Sequence, residues 1–294
     1  MSFLVGTTLL AVVTALACAV PGVFVVLRRE SMLVDAISHA VLPGIVLGYA
    51  VTHALDSPLL IVGAAVAGLV VVLGSEWLSR TGLLAGDAPQ GLVFPALFSV
   101  GVILLSLNFA NVHLDTHAVL VGDLNLAAFQ PLVVGGVALG PRHLFVMLGV
   151  LALNALFVAL LYPRLKVATF DPAFARSLGI RTGLLSTGLM LLVAMTVTAA
   201  FHAAGAVLVV ALMIAPPATA LLLTRRLGSM LALSVGIAGV SALAGFWVAY
   251  AFDAATSASM AVLQGLLFAA VWLGTRWRRH RARIRGSREA PLPA

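Results

Sequence analysis

Ser31-Met32-Leu33-Val34-Asp35-Ala36-Ile37-Ser38-His39-Ala40-Val41-Leu42-Pro43-Gly44 sets one carboxylate, one imidazole and one proline inside a run that is otherwise apolar or small. Apolar residues continue beyond it to Val51, and Phe3 to Leu27 form a second such run on the other side of Arg28-Arg29-Glu30. A helix needs roughly 20 mainly apolar residues to cross the hydrocarbon core. On that rule the quoted stretch is the heart of a span over 32–53, and further spans fall near 3–27, 58–80, 90–109, 142–161, 184–201, 205–223, 229–251 and 258–275. The expected fold is all-α, a polytopic membrane helix bundle of eight to ten transmembrane helices. Residues 118–139 are interrupted by Asp123, Asn125, Gln130 and Pro131 and are expected to be re-entrant or a surface helix.

Composition points the same way. Of 294 residues 62% are hydrophobic and 9% charged, against roughly 45–50% and 25% in soluble domains. The net charge of +7 comes from basic residues lying between apolar runs, which suits anionic lipid headgroups better than nucleic acid. The single cysteine, Cys18, excludes an intrachain disulfide and a Cys-rich zinc site. The first basic residue is Arg28, so the opening run lacks the positive leader of a cleaved signal peptide and reads as a retained span.

With the N-terminus outside, Arg28, Arg29, Arg80, Arg164, Lys166, Arg176, Arg181, Arg225, Arg226 and the tail arginines all fall on the cytoplasmic side, and Arg142 alone falls outside. This is the positive-inside pattern, and it supports nine alternating spans with a cytoplasmic C-terminus. Residues 1–275 form the membrane domain, with a cytoplasmic loop at about 163–183, and 276–294 form a basic tail whose plain role is to anchor topology.

The only lysine, Lys166, follows Leu165, so a phosphate-binding loop ending in Gly-Lys-Ser/Thr is excluded. The seven histidines form no HExxH pattern. Nothing marks the chain as an enzyme; ATP-driven work would need a separate ATPase chain.

Ionisable groups in hydrocarbon are expensive and mark functional positions by default. Asp35 and His39 are four residues apart and share one helical face. Together they offer oxygen and nitrogen donors, which suit zinc, manganese or iron better than Cu(I). Pro43 has no N–H, which frees the carbonyl of His39, and with Gly44 beside it the helix can kink there. A pure packing role, with Ser38 and His39 bonding a neighbouring helix and Asp35 capping near the basic end, fits these residues as well.

Val34 to Gly44 resembles the second-span signature of the metal-permease family of ABC transporters, importers of zinc or manganese. The likeness extends to Gly86-Asp87-Ala88, to Gly91 through Phe94, to Leu120 through Asp123, to Phe170 through Ile180, and to Val207 through Ala220. Pro89-Gln90 and a long 125–143 segment depart from that family's pattern. The resemblance implies a permease subunit that carries a divalent transition metal into the cytoplasm across a prokaryotic inner membrane. It implies Asp35 and His39 as metal contacts, a dimeric permease, ATPase subunits inside and a metal-binding protein outside. The transported metal, not a tightly bound cofactor, is its ligand. A proton-coupled secondary transporter is the rival reading, although no repeat of the Asp35/His39 element is visible.

Asp171 can cap a short helix with Pro172 at its first position, and Gly179 can end it. Phe174 and Leu178 share a face flanked by Arg176 and Arg181. In the resembling family this loop receives the ATPase stroke, which implicates Asp171, Phe174, Ala175, Leu178 and Gly179. A helix lying on the inner leaflet is the alternative. His113, Asp115 and His117 alternate and share a face only if extended, so they and His202 are candidate metal contacts at the external mouth, with a solvated loop as the plain alternative. Pro216 and Pro217 free the carbonyls of Leu212 and Met213 and predict a kink in the seventh span.

Overall fold

Long apolar runs with few charges can satisfy their backbones inside lipid only as helices or closed barrels, and the computed structural model, which describes residues 3–53, 58–84, 86–108, 124–134 and 137–288, takes the helical solution. In chain order the elements are α1 (Phe3–Arg28), α2 (Ser31–Thr52), α3 (Pro58–Arg80), α4 (Ala88–Asn108), α5 (Leu124–Ala128), β1 (Pro131–Val134), β2 (Val137–Pro141), α6 (Arg142–Phe170), α7 (Pro172–Ser177), α8 (Thr182–Ala204), α9 (Ala206–Leu223), α10 (Leu227–Phe252) and α11 (Thr256–Arg288). Among the described residues nine helices are long and apolar enough to cross a membrane.

The first helix is the hub. It touches α6, α8, α9 and α10, and Leu10, Ala11, Ala17, Cys18 and Phe24 are fully buried in its core. Pro21 sits inside α1 and denies the Ala17 carbonyl its helical donor. Asn154 of α6, itself buried, supplies the replacement: its Nδ2 donates to Ala17 O at 2.8 Å and to Thr196 Oγ1 of α8 at 3.0 Å. One proline in one helix thereby selects a polar residue on a second and ties in a third.

Small residues let backbones approach. A Cβ on Gly44 of α2 would stand 2.3 Å from the Gly63 carbonyl oxygen of α3, and one on Gly63 would stand 2.2 Å from the Gly44 oxygen. A Cβ on Gly22 would stand 2.1 Å from Met213 O. That oxygen is one of the two carbonyls freed by Pro216 and Pro217, so its contact surface is a glycine backbone.

Two expectations need correction. Residues 118–139 are not a surface helix in their described part, where five helical residues lead into an antiparallel hairpin that pairs Leu132 with Gly140 and Val134 with Val137. The fifth long helix does not end with its span near 161; α6 continues through Pro163 to Phe170, where Leu165 and Ala168 remain buried against the bundle. Helix α11 continues into the basic tail as far as Arg288, with Arg276 over Trp272 and Arg281 over Trp277. The guanidiniums lie 5.2 and 3.7 Å from the ring centroids, within cation–π range.

Candidate functional site

The Asp35/His39 face of α2 points toward α4. Asp35 Oδ1 and His39 Nε2 are 3.6 Å apart, and the side chains are 46% and 34% exposed. The imidazole is positioned by two rings of α4: Phe94 stacks on it at 5.6 Å between centroids, and Phe98 meets it edge-on at 5.9 Å. Pro43, one turn further along α2, packs on Gly101 of α4, where an added Cβ would come within 2.8 Å. These contacts fix the height of α4 against α2, and so the place of the two phenylalanines. Ser38 is buried on the other side and donates to Val34 O of its own helix at 2.9 Å, so it is not a free donor for the site.

The donor geometry fits a divalent ion as transported substrate. Two ligands on one tetrahedral zinc, each at about 2.0–2.1 Å, stand about 3.3 Å apart, close to the 3.6 Å observed. Among the described residues no group of three or more His, Cys, Asp or Glu is placed to hold a metal. Asp35 and His39 by themselves offer two donors. The helix that flanks this pair, α4, has only 6% of its central window buried, against 78% for α1.

A residue that sequence reasoning passed over stands just outside the span. Glu30, between α1 and α2, has a buried Oε2 without a hydrogen-bond partner. Burial pushes its carboxyl above the ordinary range, Arg28 partly offsets this, and the negative charges of Asp87 and Glu76 push it up again. Glu76 is held by Arg80 at 2.7 Å and by Thr187 at 2.8 Å. Three carboxylates thus influence one another near the start of the helix that bears Asp35. An acid directly after two arginines looks like an ordinary surface residue; only the meeting of α2, α3 and α4 reveals its burial.

The short helix α7 forms as its sequence suggests. Asp171 Oδ1 accepts the Phe174 N–H at 2.9 Å, and Pro172 opens the helix. Its end is a Schellman turn: Ile180 N–H reaches Ala175 O and Gly179 N–H reaches Arg176 O, both at 3.0 Å, with Gly179 at φ +76°. Phe174 and Leu178 are exposed at 53% and 57%, while Ala175 is fully buried and holds the helix to the bundle.

His202 lies two residues from the end of α8 and its Nδ1 is 3.3 Å from Thr198 O. Among the described residues it does not join Asp35 and His39 in a group of three or more possible metal ligands. His113, Asp115 and His117 lie outside the described residues. Pro216 and Pro217 sit in the interior of α9, and both are buried.

Comparison with known proteins follows this geometry. A family model described as the ABC 3 transport family matches residues 1–274. The chain is 48% identical over 265 residues to the zinc transport system membrane protein TroD of Treponema pallidum, covering 90% of this chain and 72% of that one. It is 41% identical over 273 residues to the manganese transport system membrane protein MntD of Bacillus subtilis, covering 93% and 92%. The solved structure of PsaBC from Streptococcus pneumoniae in complex with Fab superposes with a TM-score of 0.74 at 26% identity, covering 92% of this chain and 91% of that one.

Proposed function

The chain belongs to the ABC 3 transport family, and from that premise we propose that it is the permease subunit of an importer carrying zinc or manganese into the cytoplasm. Relatives named for zinc and for manganese transport support both metals. Membership of an ABC family supports this reading over the proton-coupled rival, and ATP hydrolysis by separate subunits is in keeping with a chain whose one lysine cannot serve a phosphate loop.

The observation that carries the reading is the pair itself. A carboxylate 46% exposed within a span, beside an imidazole held by two phenylalanines, is a costly arrangement unless something covers it. A second copy of the chain brought against α4 by a two-fold axis would cover it and supply a second Asp35/His39 pair. Four donors would then face one ion, tetrahedral for zinc or completed by water for manganese. Phe174 and Leu178 on α7 offer an apolar contact for the ATPase at the cytoplasmic side, and Asp171 and Gly179 hold that helix in shape. Pro43 with Gly44, and Pro216 with Pro217, are the points at which α2 and α9 can bend as the path opens from one side to the other. An extracytoplasmic metal-binding protein would deliver the ion, with His202 and the His113/Asp115/His117 segment at that mouth. The orientation, with the N-terminus outside and the C-terminus inside a prokaryotic plasma membrane, rests on the distribution of arginines.

The test is uptake of radiolabelled zinc and manganese in cells expressing the whole transporter, with Asp35→Asn and His39→Ala compared at matched membrane levels. Each substitution should lower uptake of the carried ion at least about tenfold, the loss of one good ligand bond. Unchanged uptake in both would remove the pair from the path.

A further inference from the structure

Beside α7 a cleft of about 550 Å³ opens between α6 and α8. Phe157 and Leu161 of α6 and Leu184 and Leu185 of α8 form its apolar wall, the 178–180 link closes it, and Arg164 and Arg181 stand at its rim. Both arginines are exposed, and among the described residues neither side chain makes an ion pair or hydrogen bond. Leu184 is 67% exposed.

The position of the cleft relative to the membrane identifies its occupant. About 20 residues of α6 from Arg142 cross the hydrocarbon, which puts Leu161 at its inner boundary. Arg164 then lies about 4.5 Å further out and Phe157 about 6 Å deeper. On α8, which runs the other way, Arg181 precedes the helix and Leu184 and Leu185 lie in its first turn. Both walls therefore change from cationic to apolar in the same direction and at the same depth.

We propose that this cleft binds one anionic phospholipid of the inner leaflet, with its phosphate between the Arg164 and Arg181 guanidiniums and its acyl chains along Phe157, Leu161 and Leu184. A soluble partner would approach from the arginine side and could not reach the apolar upper wall, which lies at acyl-chain depth. Two unpaired guanidiniums match a phosphodiester with an uncharged or anionic headgroup and disfavour one that carries its own cation. Basic pockets between helices on the cytoplasmic side are suited to such lipids. A lipid here would brace α6 against α8 directly behind α7, so its presence would set how firmly α7 passes motion into the bundle.

The whole transporter, purified in mild detergent and supplied with phosphatidylglycerol and phosphatidylcholine of identical chains, reports retained lipid by native mass spectrometry. Each arginine near the headgroup is worth about a fivefold preference, so the intact protein should favour phosphatidylglycerol about thirtyfold. Arg164→Gln/Arg181→Gln should bring that ratio near one, and Leu184→Trp, which fills the apolar wall, should lower retention of both lipids. Arg278→Gln/Arg281→Gln in the tail should leave the ratio unchanged. An unchanged ratio in the Arg164/Arg181 variant, or its loss in the tail variant instead, overturns the proposal. Displacement of phosphatidylglycerol by millimolar inorganic phosphate would also overturn it, by making the site one for a free anion.

Discussion

Replacing Asn154 with leucine isolates the polar contact that joins three helices. Leucine keeps the branching of asparagine without its donor and acceptor, and the volume it adds at this buried site enters equally in both backgrounds of the cycle below. Thr196 keeps a partner, because its hydroxyl also donates to Leu192 O at 2.8 Å. The group left alone is the Ala17 carbonyl, which Pro21 deprives of its helical donor. An orphaned buried acceptor costs about 1–3 kcal/mol, and hydrogen bonds inside membrane proteins average about 0.6 and reach about 1.7 kcal/mol. The expected loss is about 1.5 kcal/mol. The decisive comparison is a double-mutant cycle with Pro21→Ala, since alanine restores an N–H that can bond Ala17 O within α1. In that background Asn154→Leu should cost about 1 kcal/mol less, measured as the shift in unfolding free energy of purified protein in micelles. An equal cost of Asn154→Leu in both backgrounds would refute the link between proline and asparagine.

Gly44→Ala must push its Cβ against the Gly63 backbone, 2.3 Å from the oxygen, whereas Gly236→Ala meets nothing within 4 Å. The first should lower stability by about 1–3 kcal/mol and the second raise it by about 0.5–1 kcal/mol; thermal denaturation in detergent giving both the same sign would contradict the close crossing. Burial raises the Glu30 carboxyl above its ordinary 4.5, so its contribution to stability is present below that value and lost as pH rises through the raised one. Glu30→Gln should therefore stabilise the protein relative to wild type at pH near 8 and not near 4, and a pH-independent difference in melting temperature would count against the buried carboxylate. Asp171→Ala removes the cap on the Phe174 N–H, worth about 1 kcal/mol to a six-residue helix. It should lower metal-stimulated ATP hydrolysis of the assembled transporter while leaving metal binding to the external protein intact, and full coupling would exclude α7 as the contact.

Much of the bundle was legible because the signals are local. Runs of apolar residues located the nine long helices within a few residues at most ends, and the spacing of Asp35 and His39 put them on one face before any packing was known. Asp171, Pro172 and Gly179 declared both ends of α7, since caps are decided by neighbours three or four residues away. The β1/β2 hairpin is signalled in sequence by Gly135-Gly136 between Val133-Val134 and Val137, a turn signal that total hydrophobicity does not register. Hydrocarbon thickness sets the length of a span but not of its helix, and α6 extends past 161 because Leu165 and Ala168 are buried.

The chain's own pattern therefore determined the class of solvent, the helices and the pair of donors, because each depends on residues adjacent or one turn apart. Tertiary structure alone decided that Phe94 and Phe98 orient His39, that Asn154 answers Pro21, and that Glu30 is buried beside the charges of Glu76 and Asp87. Those partners are separated by dozens to more than a hundred residues, and 62% of the chain is hydrophobic. Hydrophobicity places a helix in the membrane but says little about which apolar face meets which; steric fit of glycine to carbonyl and the demand of each freed backbone group for a donor make that choice.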